Sequence, residues 1–253
     1  MAYQFPNSQA MPLGTRSVAE SMPQERLTFI RKVYSLFFVS LLLAFIGGAA
    51  CIKTGGFIWF IQHPIIALVI YFAGVFVVQA VSRTPGINAI ALFAYAVFTG
   101  AYFSLIALAS YLMTGGSLVQ DKVTRELVLS GGSWNLSIQA FGLTLAVFGG
   151  LTLFAFVSRK DFSFLGGFLF MALILLIGLG IIAMIFGFPS QGVEMLFLVA
   201  VTVVMCGYVL YDTSNIMRRY PTNMAVSAAL AIYLDFIIIF IYILRILMEM
   251  QRR

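Results

Sequence analysis

The stretch Phe164-Leu165-Gly166-Gly167-Phe168-Leu169-Phe170-Met171-Ala172-Leu173-Ile174-Leu175-Leu176-Ile177-Gly178-Leu179-Gly180-Ile181-Ile182-Ala183-Met184-Ile185-Phe186 carries no charged residue from end to end. Crossing a bilayer as a helix takes about 20 apolar residues, and a run this long and this apolar reads as one such crossing. Gly187-Phe188-Pro189 closes it with a turn signal. The whole chain has the same character. Its 253 residues are 62% hydrophobic and only 9% charged, against about 25% charged in soluble domains. Mean hydropathy is +1.03. The protein is therefore expected to be integral to a membrane.

Working outward, six further segments have the same length and composition: Val33 to Ile52, Pro64 to Ser82, Ala89 to Met113, Leu136 to Val157, Val193 to Met217 and Met224 to Met248. The quoted stretch is fifth in order. Lengths near 20 suit helices and exclude barrel strands of about ten residues. The expected fold class is all-α, a polytopic seven-helix transmembrane bundle. Arg83-Thr84-Pro85-Gly86 makes a tight turn between the second and third segments, and Thr114 to Asn135 is the longest loop, with Asp121, Lys122, Arg125 and Glu126 in its middle. Two parts are expected: residues 1–28, a cytoplasmic tail that is disordered and then amphipathic, and residues 29–253, the transmembrane domain. Three prolines and no apolar core before a cleavage site exclude a signal peptide in that tail.

The net charge of +6 gives no sign of nucleic-acid binding, because Lys and Arg cluster at helix ends. With the N-terminus cytoplasmic, that side holds Arg16, Arg26, Arg31, Lys32, Arg83, Arg159, Lys160, Arg218 and Arg219, nine in all. The other side holds Lys53, Lys122, Arg125, Arg245, Arg252 and Arg253, which is six. The bias favours a cytoplasmic N-terminus, in the plasma membrane, or the inner membrane if the source is bacterial. A re-entrant last segment would make the count twelve against three. Cys51 and Cys206 belong to no CxxC or Cys/His cluster and read as small core residues. His63, with no Cys, Asp or Glu beside it, reads as a solvated loop histidine. The pairs Gly47-Gly48, Gly149-Gly150, Gly166-Gly167 and Gly178-x-Gly180 read as helix-packing positions.

Two acids break the apolar pattern. Asp212 lies in Val209-Leu210-Tyr211-Asp212-Thr213-Ser214-Asn215, and Asp235 in Ala231-Ile232-Tyr233-Leu234-Asp235-Phe236-Ile237. An ionised carboxylate in hydrocarbon is costly, so such residues usually mark function. Tyr208 and Asn215 share the helical face of Asp212, with Arg219 two turns on. At 1.5 Å per residue Asp212 is about 9 Å from Arg218 along the axis. Asp235 lies deeper, in a run with no other polar side chain, and the turn at Pro221 brings its helix back beside Asp212. Two carboxyls in a low dielectric cannot both ionise cheaply, so the pair is expected to share a proton and titrate as a unit near neutral pH. Deprotonated, it offers hard oxygen ligands for Ca²⁺, with Asn215, Thr213, carbonyls or water completing the shell. The blander alternative is a hydrogen-bonded carboxyl pair that pins two helices. Gln79 could line a cavity, Arg83 could reach inward to Asp212 or merely end its helix, and Asp161 favours the start of the fifth helix.

Tyr211-Asp212-Thr213-Ser214-Asn215-Ile216, Tyr233-Leu234-Asp235-Phe236-Ile237 and Arg159-Lys160-Asp161-Phe162-Ser163-Phe164-Leu165 resemble motifs of the Bax-inhibitor family of membrane proteins, its bacterial branch most of all. The resemblance covers about Arg26 to Met250. It implies a bundle with a central last helix and a proton-sensitive Ca²⁺ leak, with Asp212 and Asp235 as the pH sensor. No cofactor is implied, Ca²⁺ being the transported ion. The family's arginine latch matches Arg83 with a one-residue shift. Some bacterial relatives lack both aspartates and restrain a membrane-bound protease, so a non-catalytic regulator of such a protease or of stress signalling, contacting partners through the tail, is the alternative. Intramembrane aspartyl proteases also pair two such acids. This chain has Ile232-Tyr233-Leu234-Asp235 where they have Gly-x-Gly-Asp, and no Pro-Ala-Leu motif follows.

Overall fold

The computed structural model describes residues 17–20, 22–120, 127–158 and 160–252. Seven helices are long and apolar enough to cross a membrane: α1 (Pro23–Thr54), α3 (Pro64–Val81), α4 (Ile87–Met113), α5 (Asn135–Ser158), α6 (Leu165–Phe186), α7 (Gln191–Arg218) and α8 (Ala225–Gln251). A short α2 (Phe57–Gln62) precedes α3, and strands β1 (Ser117–Gln120) and β2 (Leu127–Ser130) pair antiparallel inside the long loop, Ser117 opposite Ser130. The composition of that loop gave no sign of the hairpin. Its tip, including Asp121, Lys122, Arg125 and Glu126, lies outside the described residues, as do Arg16, Arg159 and Arg253.

α8 is the axis of the bundle. It packs against α1, α3, α4, α5 and α7, and Ala228, Ala229, Leu230, Ile232, Tyr233, Ile239 and Leu244 are wholly buried. At 27 residues it is about 40 Å long without a break, which suits a spanning helix rather than a re-entrant one. Around it Phe37 of α1, Phe148 of α5 and Phe236 of α8 meet with ring centroids 5.2 to 5.8 Å apart. Offset and edge contacts of this kind add about 0.5–1.5 kcal/mol per pair beyond burial. The Tyr233 hydroxyl bonds that of Thr99 and ties α8 to α4. α3 and α6 lie at the periphery. α6 keeps Phe164, Phe168, Met184 and Phe186 exposed just before or along its length, the surface expected against lipid.

The glycine pairs divide. A Cβ on Gly100 of α4 would lie 1.9 Å from the Ala44 carbonyl oxygen, and one on Gly47 of α1 would lie 2.4 Å from that of Val97. Those neighbours are backbone and cannot swing away, so α1 and α4 cross where only glycine fits. Gly166 meets the Tyr211 ring at 2.7 Å and Gly180 meets Phe197 at 3.4 Å. Gly149, Gly150, Gly167 and Gly178 face open space. The packing expectation thus fails for these four, because a Cβ at each would meet no other described residue within 4 Å.

Part of the N-terminal tail also packs on the bundle. α1 begins at Pro23, ten residues ahead of the first apolar segment, and the chain joins the bundle earlier still. Val18 to Glu20 form a 3-10 turn, and Val18 is fully buried in the main core. A lone valine in a polar stretch has found an apolar seat ahead of α1. Residues 1–16 lie outside the described part.

Candidate functional site: the aspartate pair between α7 and α8

α7 and α8 are joined by a short turn, so they run antiparallel and pack closely. Asp212 sits about 9 Å from the turn end of α7 and Asp235 about 15 Å into α8. Helical side chains lean toward their own N-terminus. Asp212 on α7 therefore leans away from the turn, and Asp235 on α8 leans back toward it. The opposed leans offset the difference in depth, and the two carboxyls come within hydrogen-bonding reach of each other.

Asp235 is 4% exposed and its Oδ2 is sealed from solvent with no hydrogen-bond partner among the described residues. Asp212 is half-buried. The Asn215 side chain is the third member, within reach of the Asp212 carboxyl, and its own Oδ1 is buried and unpartnered. The Tyr208 phenol and the Cys206 thiol are electrostatic neighbours of Asp235, with Tyr208 also beside Asp212 and edge-on to Tyr211. Among the described residues no group of three or more His, Cys, Asp or Glu side chains converges. A cation here would meet two carboxylates and otherwise neutral oxygens.

Other expected partners go elsewhere. Thr213, one residue on from Asp212, is rotated about 100° around the helix and faces the hydroxyls of Tyr34 on α1 and Thr152 on α5. It is not on the face of the pair. Arg219 departs from the stripe as well. It pairs with Asp161 at 3.8 Å and donates to the Ser163 hydroxyl, while the Ser214 hydroxyl accepts from the Phe162 amide at 3.1 Å. The Lys160-Asp161-Phe162-Ser163 loop thus clasps the last turns of α7. Asp161 makes this clasp rather than capping α6, and its Oδ1 accepts the Ser163 amide at 2.9 Å. Hydrogen bonds from the Ser163 hydroxyl and amide, with Arg219 and Arg218 nearby, hold the Asp161 carboxyl below its ordinary range. Arg83 is exposed and points a guanidinium nitrogen at the Met224 sulfur, 4.0 Å away. Among the described residues no ion pair joins it to Asp212.

The sequence reading missed a collar at this end of the bundle. The Tyr220 side chain is half-buried and electrostatically close to both aspartates, with the Ser227 hydroxyl nearby. Burial first, and then the aspartate charges, hold its phenol well above the ordinary range, so it stays protonated. Ser227 in turn donates to the side-chain oxygen of Gln79 on α3, which gives Gln79 a definite role. Arg218-Arg219-Tyr220-Pro221 reads as a helix stop, and nothing in that signal distinguishes a tyrosine folded over the pair from one in water. His63 is not free in its loop: Nδ1 lies 3.1 Å from the Trp59 carbonyl and the ring stacks on Trp59. Cys51 and Cys206 are free thiols, one buried and one half-buried.

Seven apolar helices with an acid pair between the last two are accompanied by matches along nearly the whole chain. Residues 26–253 match the family model described as inhibitor of apoptosis-promoting Bax1. The chain belongs to the Bax inhibitor family. Among its relatives is Bax inhibitor 1 of Schizosaccharomyces pombe, 32% identical over 243 residues, covering 94% of this chain and 82% of that protein. Protein LIFEGUARD 3 of Arabidopsis thaliana is 30% identical over 91% of this chain and 88% of its own length. Bacterial proteins match as well, including an uncharacterised protein of Campylobacter jejuni, 28% identical over 89% of this chain and 90% of that one. This Bax inhibitor family member is an integral membrane protein.

Proposed function

We propose that the protein is a pH-sensitive calcium leak across the membrane, with protonation of Asp212 and Asp235 as its gate. The observation that carries the reading is the approach of two carboxyls across α7 and α8, one of them sealed with an unpartnered oxygen. With one proton the carboxyls can share a hydrogen bond that joins the two helices. With none they repel each other and attract a divalent cation. With a cytoplasmic N-terminus, Asp212, the half-buried member of the pair, lies toward the cytoplasmic end. In this reading the pair is non-catalytic: it takes up and releases a proton and a cation.

The test is Ca²⁺ flux into proteoliposomes over a pH series. Wild type should show a proton-dependent transition, and Asp212→Asn and Asp235→Asn should each flatten it. If both variants keep the wild-type profile, the pair is structural and the leak reading is wrong.

A second reading is a non-catalytic regulator of a membrane-bound protease or of stress or cell-death signalling, supported by relatives whose names carry Bax inhibitor. Removing the tail is not a clean discriminator, because part of it is seated in the core. The aspartate variants are cleaner, since a regulator acting by contact should keep its effect when both acids are amides.

A further inference from the structure

The leak reading leaves open what closes the aspartate end of α7 and α8, and one segment there has no place in it. Val18 precedes every membrane helix, yet it is fully buried while the next residue, Ala19, is exposed. Its amide donates to the Tyr220 carbonyl at 3.1 Å, and Ser17 pairs with Pro221 in an isolated antiparallel bridge. The turn between α7 and α8 thus presents a short strand edge, and residues 17–20 occupy it. The same segment also touches α1. The residue it grips, Tyr220, is half-buried at the aspartate end of the two helices, electrostatically close to both acids, and Ser227 on the first turns of α8 donates to Gln79.

Resting on the leak reading, we infer that Ser17–Glu20 is a strap that seats Tyr220 over the aspartate pair and closes this end of the ion path. Backbone bonds at Tyr220 and Pro221 set its register. Val18 is its anchor, the single apolar side chain whose withdrawal would release the turn. The sequence supports this division, since Val18 stands between polar Ser17 and Glu20 with only Ala19 as a further apolar neighbour. Undocking would free the α7–α8 turn and leave the pair reachable from that side, whereas the docked strap shields it. Tyr220 is a positioning residue here and the strap acts through it.

Docking is tested first without flux, in full-length protein carrying Cys51→Ala and Cys206→Ala. Val18→Cys should react with a membrane-impermeant maleimide at least tenfold more slowly than Ala19→Cys. Equal rates overturn the strap. Closure is tested by Ca²⁺ flux in proteoliposomes. Val18→Asp should raise flux at neutral pH about tenfold, and Val18→Ile should leave it near wild type. Opposed residues of an antiparallel bridge have Cα atoms about 4.5–5.5 Å apart, within the range a disulfide spans. Ser17→Cys/Pro221→Cys should therefore cross-link, cutting flux below wild type until a reductant restores it. A wild type that leaks with its normal pH profile beside a Val18→Asp that leaks no faster, or a cross-linked protein that leaks as before, overturns the strap alone. If no variant passes Ca²⁺ at any pH, the leak reading has failed and the strap has no path to close.

Discussion

An ionised carboxyl at the position of Asp235, 4% exposed with Oδ2 unpartnered, costs several kcal/mol. A residue kept only to pin two helices should stabilise the bundle. Asp235→Asn preserves shape and one carbonyl oxygen while removing the charge, so the two roles make opposite predictions. If the pair serves the gate, the amide should leave thermal stability in detergent unchanged or raise it, by up to about 1 kcal/mol. A drop of more than about 1 kcal/mol would mark Asp235 as structural. Val18 makes a complementary case at the same scale. Burying one valine contributes about 1.5–3 kcal/mol, and fixing each strap residue costs about 1–2 kcal/mol. The valine alone does not offset the ordering of four residues, so the backbone bond to Tyr220 and the bridge to Pro221 must contribute as well, and the strap is held only weakly.

Among the elements, the α1–α4 crossing is the least tolerant of change. Gly100→Ala would set a methyl 1.9 Å from the Ala44 carbonyl oxygen, so the helices must separate at a cost of about 3 kcal/mol, and expression should fall. Gly149→Ala on α5 has open space and should be neutral or stabilising by about 0.5–1 kcal/mol. Comparing the two melting temperatures separates the packing glycines from those that only face lipid. Both pairs look alike in sequence, because glycine spacing does not say whether another helix lies opposite. The loop clasp on α7 has its own pH signature. A carboxyl held below its ordinary range, as Asp161 is, contributes stability that is complete above the usual carboxylate range and is lost as pH falls through its folded value. Asp161→Asn should therefore change the flux profile little between about pH 6 and pH 8. A shifted midpoint in that window would show that the clasp, and not the aspartate pair alone, sets the transition.

For the whole molecule, the proposed leak makes proton and cation compete for one pair of carboxyls. A cation that binds only the deprotonated pair releases protons as it binds. Raising Ca²⁺ tenfold should then lower the pH midpoint of the flux, by about one unit if one proton is displaced and about half a unit if two are. A midpoint that does not move with Ca²⁺ would place the ion path away from the acids. At the far ends of α7 and α8, Glu194 and Arg245 meet at 3.2 Å and are half-exposed, a pair that contributes about 1 kcal/mol or less. The same two helices therefore carry a like-charged pair near their turn and an opposite-charged pair at the other end.

What the sequence alone determined was the class of the fold and the identity of the two acids. Long apolar runs must be helices in lipid, and a charge inside one is too costly to be incidental. It also placed the two carboxyls together, because a short turn makes neighbouring helices antiparallel. Only the tertiary structure decided which side chains turn toward the pair. Asn215 does, Thr213 and Arg219 do not, and Tyr220, Ser227 and Gln79 form a collar that no spacing announces. The seat of Val18 was equally hidden. A single valine in a polar stretch has no periodicity to read, and its burial depends on a cavity built by α1, α7 and the turn after α7, which exists only once the bundle has assembled.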